Sequence, residues 1–307
     1  LSDPAPLTEV SDTVTLRHRY SCSESAGAAT TADSVGGANG EVLGTATLGG
    51  GLLTLDGGDG SYVNLPNGLI SALGDNGTFE MWYSYAGGNA WARLFDFGTQ
   101  DDGEDGFGNG LDYLFFTPKN GDGIPRFIAN FPNGGDSTVI SHPGSVPLDQ
   151  EYHLAITYSA TGNTTRLYTN GVLVATSGAL RPLSALTTDN NNWIGRSQFP
   201  ADPYFAGTLN EFRIYQGAMT PTQVAASFVA GPDSLPVAAP ALTATLDGAN
   251  LIVTWPAAAT GYRLQGAAAL TATPAWSDVG DGTPVTGGNF RVVVPVTGDA
   301  RYLRLNQ

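Results

Sequence analysis

Basic residues are scarce in this chain. It has a single lysine, Lys119, and 13 Lys and Arg in all against 28 Asp and Glu, a formal net charge of −15. A nucleic-acid binder needs a basic stripe to meet phosphates, and none is visible, so nucleic acid is excluded as a partner. The only cysteine, Cys22, excludes an intramolecular disulfide. In RYSCS it reads as a small buried apolar side chain on the first strand. His18, His142 and His153 are scattered and give no His/Cys metal spacing, and no Gly-x-Ser-x-Gly elbow is present. No segment approaches the roughly 18 apolar residues of a membrane span. The chain starts at Leu1 with neither Met nor signal peptide, which points to a processed, exported protein, secreted or at a cell surface.

Glycine and aromatics are plentiful: 41 Gly and 19 Pro, with 12 Tyr, 13 Phe and 5 Trp. Gly and Pro suit many short strands joined by tight turns, and the aromatics separate this chain from a disordered one. Strand-like runs recur, among them 62–65, 78–85, 113–117, 125–131, 152–159, 164–169, 172–177 and 208–215. Asp59-Gly60, Asp122-Gly123, Asn133-Gly134 and Asn170-Gly171 mark turns between them. The last is a strong two-residue hairpin signal, because both positions want positive φ. One helix is expected after Thr220, with Thr220 as N-cap, Pro221 at the first position, Gln223 closing a capping box and Gly231 ending it. The pattern is all-β, a large sandwich followed by a smaller one. Residues 1–14 read as an extended lead-in, 15–231 as the large domain, 232–240 as a linker and 241–307 as the small domain. The acidic surplus supports that boundary. Four acids match four bases from residue 240 onward, while 24 acids face 9 bases before it.

Nine phrases in order carry a family resemblance: HRYS (18–21), DSVGGANG (33–40), LDGGDGSYVNLP (55–66), TFEMWYSY (78–85), RLFDFG (93–98), EYHLAITY (151–158), RLYTNGVLVA (166–175), NNWIGRS (191–197) and NEFRIY (210–215). They resemble the laminin-G-like, concanavalin A-like jelly-roll domains of bacterial surface proteins. Residues 241–307, with LIVTW and FRVVVPV, resemble a fibronectin type III-like unit that spaces or anchors. The resemblance implies a jelly-roll sandwich that binds a glycan or surface-protein ligand without catalysis. It also implies one structural Ca2+, carried over onto Asp33, the Gly58–Asp59 turn and Asn210. Asn210 stands where the family usually has Asp, so it would ligate with less charge.

A second cation candidate is TQDDGEDGFGNGLDY, where Asp101, Asp105, Gly106 and Asp112 fall at calcium-loop positions 1, 5, 6 and 12. A solvated hairpin tip explains it as well. Glycans bind through aromatic faces and planar polar groups. Trp91, Tyr113, Trp193, Phe199 and Tyr204, with Arg93, Arg126, Arg196 and Gln198, supply these near loops, and WIGRSQFPADPYF is the expected recognition edge. Core packing is the alternative for any one of these aromatics. Trp82 alternates with Tyr83 and Tyr85, so either it or its neighbours must leave the core. A retaining glycosidase of this fold needs two carboxylates about 5–5.5 Å apart, whereas Glu80 in TFEMWYSY and Asp96 in RLFDFG each stand alone. A glycoside hydrolase is therefore an unfavoured reading. A further reading is a homo-oligomeric fibre or surface-layer subunit, with residues 8–16 as a donor strand.

Overall fold

The computed structural model describes residues 14–132, 137–235, 242–256, 262–269, 275–280, 283–285, 288–296 and 302–306. The chain divides into two compact units, Leu1–Pro236 and Val237–Gln307. In the first, β1 (Thr15–Tyr20), β2 (Thr30–Thr31), β3 (Gly40–Leu43), β4 (Thr47–Gly49), β5 (Leu52–Asp56) and β6 (Tyr62–Leu65) come first. Then follow β7 (Asn76–Tyr85), β8 (Phe95–Gln100), β9 (Gly110–Thr117), β10 (Arg126–Asn130) and β11 (Ser137–Ser141). The unit continues with β12 (Glu151–Ser159), β13 (Thr164–Thr169), β14 (Val172–Ser177), β15 (Asn191–Ile194), β16 (Ala206–Gln216) and the helix α1 (Pro221–Ala230).

Two eight-stranded sheets result. Sheet A runs β14-β13-β12-β7-β16-β5-β4, with β1 also on β16, and sheet B runs β11-β10-β9-β8-β15-β6-β3-β2. Residues 8–13 of the expected donor strand lie outside the described residues. Its end is already paired within the chain, Thr15 with Gln216 and Leu16 with Tyr215.

Period-two alternation sends one side of each strand into the core. From β7, Phe79, Met81, Tyr83 and Tyr85 join the core cluster, so Trp82 is the residue that leaves it. Phe79 stacks on Phe95 at 5.7 Å, and Phe95 on Phe212 at 5.8 Å, joining the two sheets through aromatic faces. Each buried Phe contributes on the order of 1.5–3 kcal/mol. The β13–β14 hairpin turns at Asn170 (φ 50°) and Gly171 (φ 75°), the geometry its Asn-Gly pair favours. Cys22 is buried two residues past the end of β1, where burial pushes its thiol up to about 12.

Trp82 is nonetheless only 3% exposed, because the outer face of sheet A is covered. The helix α1 lies there, its Val224 clustered with Ala155, Tyr168, Tyr215 and Met219. Its capping box is formed: Thr220 Oγ1 accepts from the Gln223 amide at 3.3 Å, and the Thr220 amide donates to Gln223 Oε1 at 2.8 Å. No helix of the described residues is long and apolar enough to cross a membrane.

The second unit holds β17 (Thr243–Asp247), β18 (Asn250–Pro256), β19 (Arg263–Ala267), β20 (Ser277–Gly280), β21 (Thr283–Val285), β22 (Asn289–Pro295) and β23 (Tyr302–Asn306). They form two sheets, β17-β18-β22-β21 and β20-β19-β23. Its core gathers Val253, Trp255, Leu264, Val292 and Val294.

Candidate functional site

The outer face of sheet B is polar and aromatic, and loops cover it. Trp193, Asp96 and Phe115 lie in one cross-strand row on β15, β8 and β9. Trp193 and Asp96 are fully buried, so the covering is tight. The acidic loop of residues 100–110 is fastened over Trp193. Trp193 Nε1 donates to Asp105 Oδ1 (3.3 Å), Asn64 donates to Asp105 Oδ2 (3.2 Å), and the Asp105 amide donates to Asn191 Oδ1 (2.7 Å). Asp101 and Asp102 cap the loop itself, accepting from the amides of Asn109 (2.8 Å) and Phe107 (2.7 Å). Asp112 stands on β9 opposite Thr99. Asp101 and Asp105, at calcium-loop spacing, thus have separate partners that hold a hairpin tip together, while Asp112 Oδ1 is buried without one.

Arg196 is the centre of this cover. Its guanidinium lies 3.8 Å above the Trp193 ring, 5.0 Å from Tyr62 and 5.1 Å from Phe107. It donates to the Tyr62 hydroxyl at 3.1 Å and to the Gly106 carbonyl. Each cation–π contact contributes about 0.5–2 kcal/mol. Tyr62 also meets Tyr204, ring centroids 6.2 Å apart. Burial pushes the Tyr62 hydroxyl above its ordinary value, against the pull of Arg196.

A second arginine ties the segment 196–204 to the start of β8. Arg93 lies 3.7 Å over Phe115 and 5.6 Å from Trp91, and donates to the Trp91 carbonyl (2.6 Å) and to Asp202 Oδ2 (2.7 Å). Its Nε is 3.4 Å from Asp96. Full burial pushes the Asp96 carboxyl up to about 7, and the Arg93 cation and the Gln198 amide offset only part of that. Asp202 is also raised, by burial, with Arg93 and Ser197 pulling against it.

Between these arginines opens a surface pocket of about 370 Å³. Phe107, Phe199, Pro200 and Tyr204 form its apolar walls, and Asp59, Gln100, Arg196, Ser197 and Asp202 supply its polar groups. Of the residues expected to meet a ligand, Arg196, Phe199 and Tyr204 line it. Trp193 and Gln198 do not: both are wholly buried beneath it, Trp193 carrying Arg196 and Gln198 donating to the Asn191 carbonyl at 2.7 Å. Tyr113 stands behind Phe199 (5.3 Å), its hydroxyl accepting from Asn130, and Arg93 stands behind Asp202. Trp91 and Arg126 meet at 6.0 Å and do not line the pocket, Arg126 donating to Ser141 and Asp122. Tyr62, Phe107, Gln100 and Asp202 escaped the sequence reading, and Asp59 was assigned to a metal instead. All four lie within segments that the sequence marks for other reasons: Gln100 and Phe107 in the acidic loop, Asp202 in WIGRSQFPADPYF and Tyr62 in LDGGDGSYVNLP.

The residues carried over for calcium do not fit a cation cage. Asp33 accepts from the amides of Arg19 (2.9 Å), Val35 (3.1 Å), Gly36 (3.0 Å) and Ala38 (3.0 Å), and meets His18 Nδ1 at 2.7 Å. Burial raises its carboxyl, but these bonds outweigh it and hold it below the usual range. Gly58 donates to Asp56 (2.9 Å), Asp59 lines the pocket, and Asn210 donates to Glu151 (2.8 Å). Among the described residues, no group of three or more His, Cys, Asp or Glu is arranged to hold a metal ion.

Glu80 lies on the opposite face, under α1. Its oxygens meet His153 Nε2 (2.9 Å), the Tyr215 hydroxyl (3.0 Å) and Arg213 (3.4 Å). Burial raises its carboxyl, but His153, Ser227 and Arg213 outweigh this and hold it below its ordinary value. Arg213 also meets Glu211 at 2.6 Å and donates to the carbonyls of Gly231, Pro232 and Ser234. Arg19 shares Glu211, also at 2.6 Å.

Solved structures share this architecture. Domain 4 of AbnA, a GH43 extracellular arabinanase from Geobacillus stearothermophilus, in complex with arabinotriose, aligns over 69% of this chain and 97% of its own, at 21% identity and a TM-score of 0.53. Trypanosoma rangeli sialidase, in complex with sialic acid, aligns over 70% of this chain and 33% of its own, at 16% identity and a TM-score of 0.51. The CBM40 of Ruminococcus gnavus IT-sialidase, bound to α2,3-sialyllactose, aligns over 54% and 95%, at 17% identity and a TM-score of 0.44. At these identities the first two show a shared fold. No curated protein matches the chain. A laminin G family model matches residues 56–225, more than half of the sequence, and the chain therefore belongs to the concanavalin A-like lectin/glucanases superfamily.

Proposed function

We propose that the larger unit is a non-catalytic carbohydrate-binding module of an extracellular or surface protein, and that its saccharide sits in the pocket between residues 100–110 and 196–204. The observation that carries this is the pocket's make-up: aromatic walls from Phe107, Phe199 and Tyr204 beside Asp59, Gln100 and Arg196. Sugar C–H faces pack on aromatic rings while hydroxyls pair with planar polar groups. Arg196 and Trp193 pre-organise the wall, which limits the ordering cost of binding. Domain 4 of AbnA is a domain of this fold solved in complex with arabinotriose, so such a fold can carry a saccharide. A non-catalytic role is supported by the two sequence-marked acids. Glu80 is locked in buried ion pairs under α1, and Asp96 is fully covered. Affinity at one shallow site is modest, and repetition on a surface raises it. The second unit, with seven strands among its described residues, is the fibronectin type III-like spacer of this reading. Glycan-array screening followed by calorimetry tests it. Binding that falls at least tenfold in Tyr204→Ala and Phe107→Ala is expected, and a folded protein that binds no glycan on a broad array would overturn it.

A further inference from the structure

Resting on that reading, we infer that the pocket takes a non-acidic saccharide, held chiefly as a hydrogen-bond donor, and rejects saccharides carrying a carboxylate or sulfate. The argument is the balance of free acceptors against free donors. Gln100 is 4% exposed and lines the pocket. Its Nε2 donates to the Gln198 carbonyl at 2.6 Å, which leaves Oε1 buried with no partner. That oxygen is closed off from the pocket, so the acceptors a ligand hydroxyl can reach are the carboxylates of Asp202 and Asp59. Asp202 takes both of its hydrogen bonds, from Arg93 and Ser197, on Oδ2, so Oδ1 keeps its lone pairs. Asp59 adds an exposed carboxylate.

The cation of the pocket is turned inward. Arg196 is 6% exposed, its guanidinium over Trp193, with Nη1 donating to Tyr62 and Nη2 to Gly106, so little of its charge faces the opening. A ligand carboxylate would instead meet Asp59 and Asp202, beside the exposed acids of residues 101–105. Like charges brought together in a partly dry site repel strongly, and specificity is often built from such repulsion. A site that presents unpaired acceptors discriminates against ligands without matching donors.

The test titrates the full chain with two oligosaccharide sets: neutral and amino (arabino-, xylo-, gluco-, galacto- and glucosamine series) and acidic (oligogalacturonate, heparin fragments, 3′-sialyllactose). The expected result is binding confined to the first set, with acidic members at least tenfold weaker. Asp59→Asn should narrow that gap, and so should added salt, which screens the repulsion. Asp59→Ala should weaken the neutral ligand about tenfold while leaving the melting temperature within a few degrees, because Asp59 is exposed. Acidic members binding as tightly as neutral ones, with Tyr204→Ala abolishing both, would overturn this inference and keep the saccharide site. Binding by neither set would overturn the saccharide reading itself.

Discussion

The two outer faces of the large sandwich are built from the same materials and end in opposite states. Each carries an arginine over a tryptophan, Arg213 over Trp82 at 4.6 Å and Arg196 over Trp193 at 3.8 Å. Each holds a buried carboxylate, Glu80 or Asp96. Under α1 the two carboxylates are bound and Arg213 is shared among Glu80, Glu211, Ser227 and three backbone carbonyls. Under the loops, Asp96 Oδ1, Gln100 Oε1 and Gln198 Oε1 have no partner, and a pocket opens beside them. A closed network locks a helix to a sheet. An incompletely paired one beside an opening, with the carboxylates of Asp59 and Asp202 at the opening itself, leaves bonding capacity for a ligand. Residue composition does not distinguish the two; saturation and access do.

That contrast can be broken first on the closed side. Arg213→Met leaves Glu80 and Glu211 buried without their main cation, and should cost about 3–5 kcal/mol in denaturant unfolding. Saccharide affinity of the molecules that remain folded should be unchanged. The matching change on the open side, Arg196→Met, keeps the stacking volume over Trp193 but loses two hydrogen bonds and the charge. It should cost about 1–2 kcal/mol of stability, while affinity measured by calorimetry falls at least tenfold as the 100–110 loop loosens.

Acidity separates the faces by sign. Glu80 is held below its ordinary value, so its stabilisation is present at neutral pH and is lost as pH falls through its folded value. Asp96 is raised to about 7, so the folded state binds the extra proton. Its contribution declines as pH rises from the ordinary Asp range to about 7, then stays level. Melting temperatures from pH 5 to 8 should therefore fall more steeply in the wild type than in Asp96→Asn. Thr220→Ala removes the N-cap of α1 and should cost about 1 kcal/mol, without effect on binding. Chelation with EDTA should leave the melting temperature unchanged, because Asp33 already accepts four amide hydrogen bonds and faces His18.

What was legible along the chain is what a few neighbouring residues encode. Thr220, Pro221 and Gln223 announce the helix start, Asn170-Gly171 a hairpin, and strand-like runs between turn signals the strands Tyr62–Leu65 and Thr164–Thr169. The short strands β2, β3 and β4 were not read, because residues 26–50 are rich in Gly, Ala and Thr and show little alternation. The recognition edge WIGRSQFPADPYF does fold around the pocket, but its largest residue, Trp193, turned inward to become the platform for Arg196.

By itself, then, the sequence determined the all-β character, the turns, the one helix and the aromatic inventory, since each depends on backbone preference and period over a few residues. Which polar groups are saturated was decided only in three dimensions. Glu80 reads as a lone carboxylate until His153, 73 positions away, and Arg213, 133 positions away, are brought against it. Arg196 meets Tyr62 across 134 positions. Pairing and solvent access are properties of the packed sheets and their covering loops, and no local pattern encodes contacts at that separation.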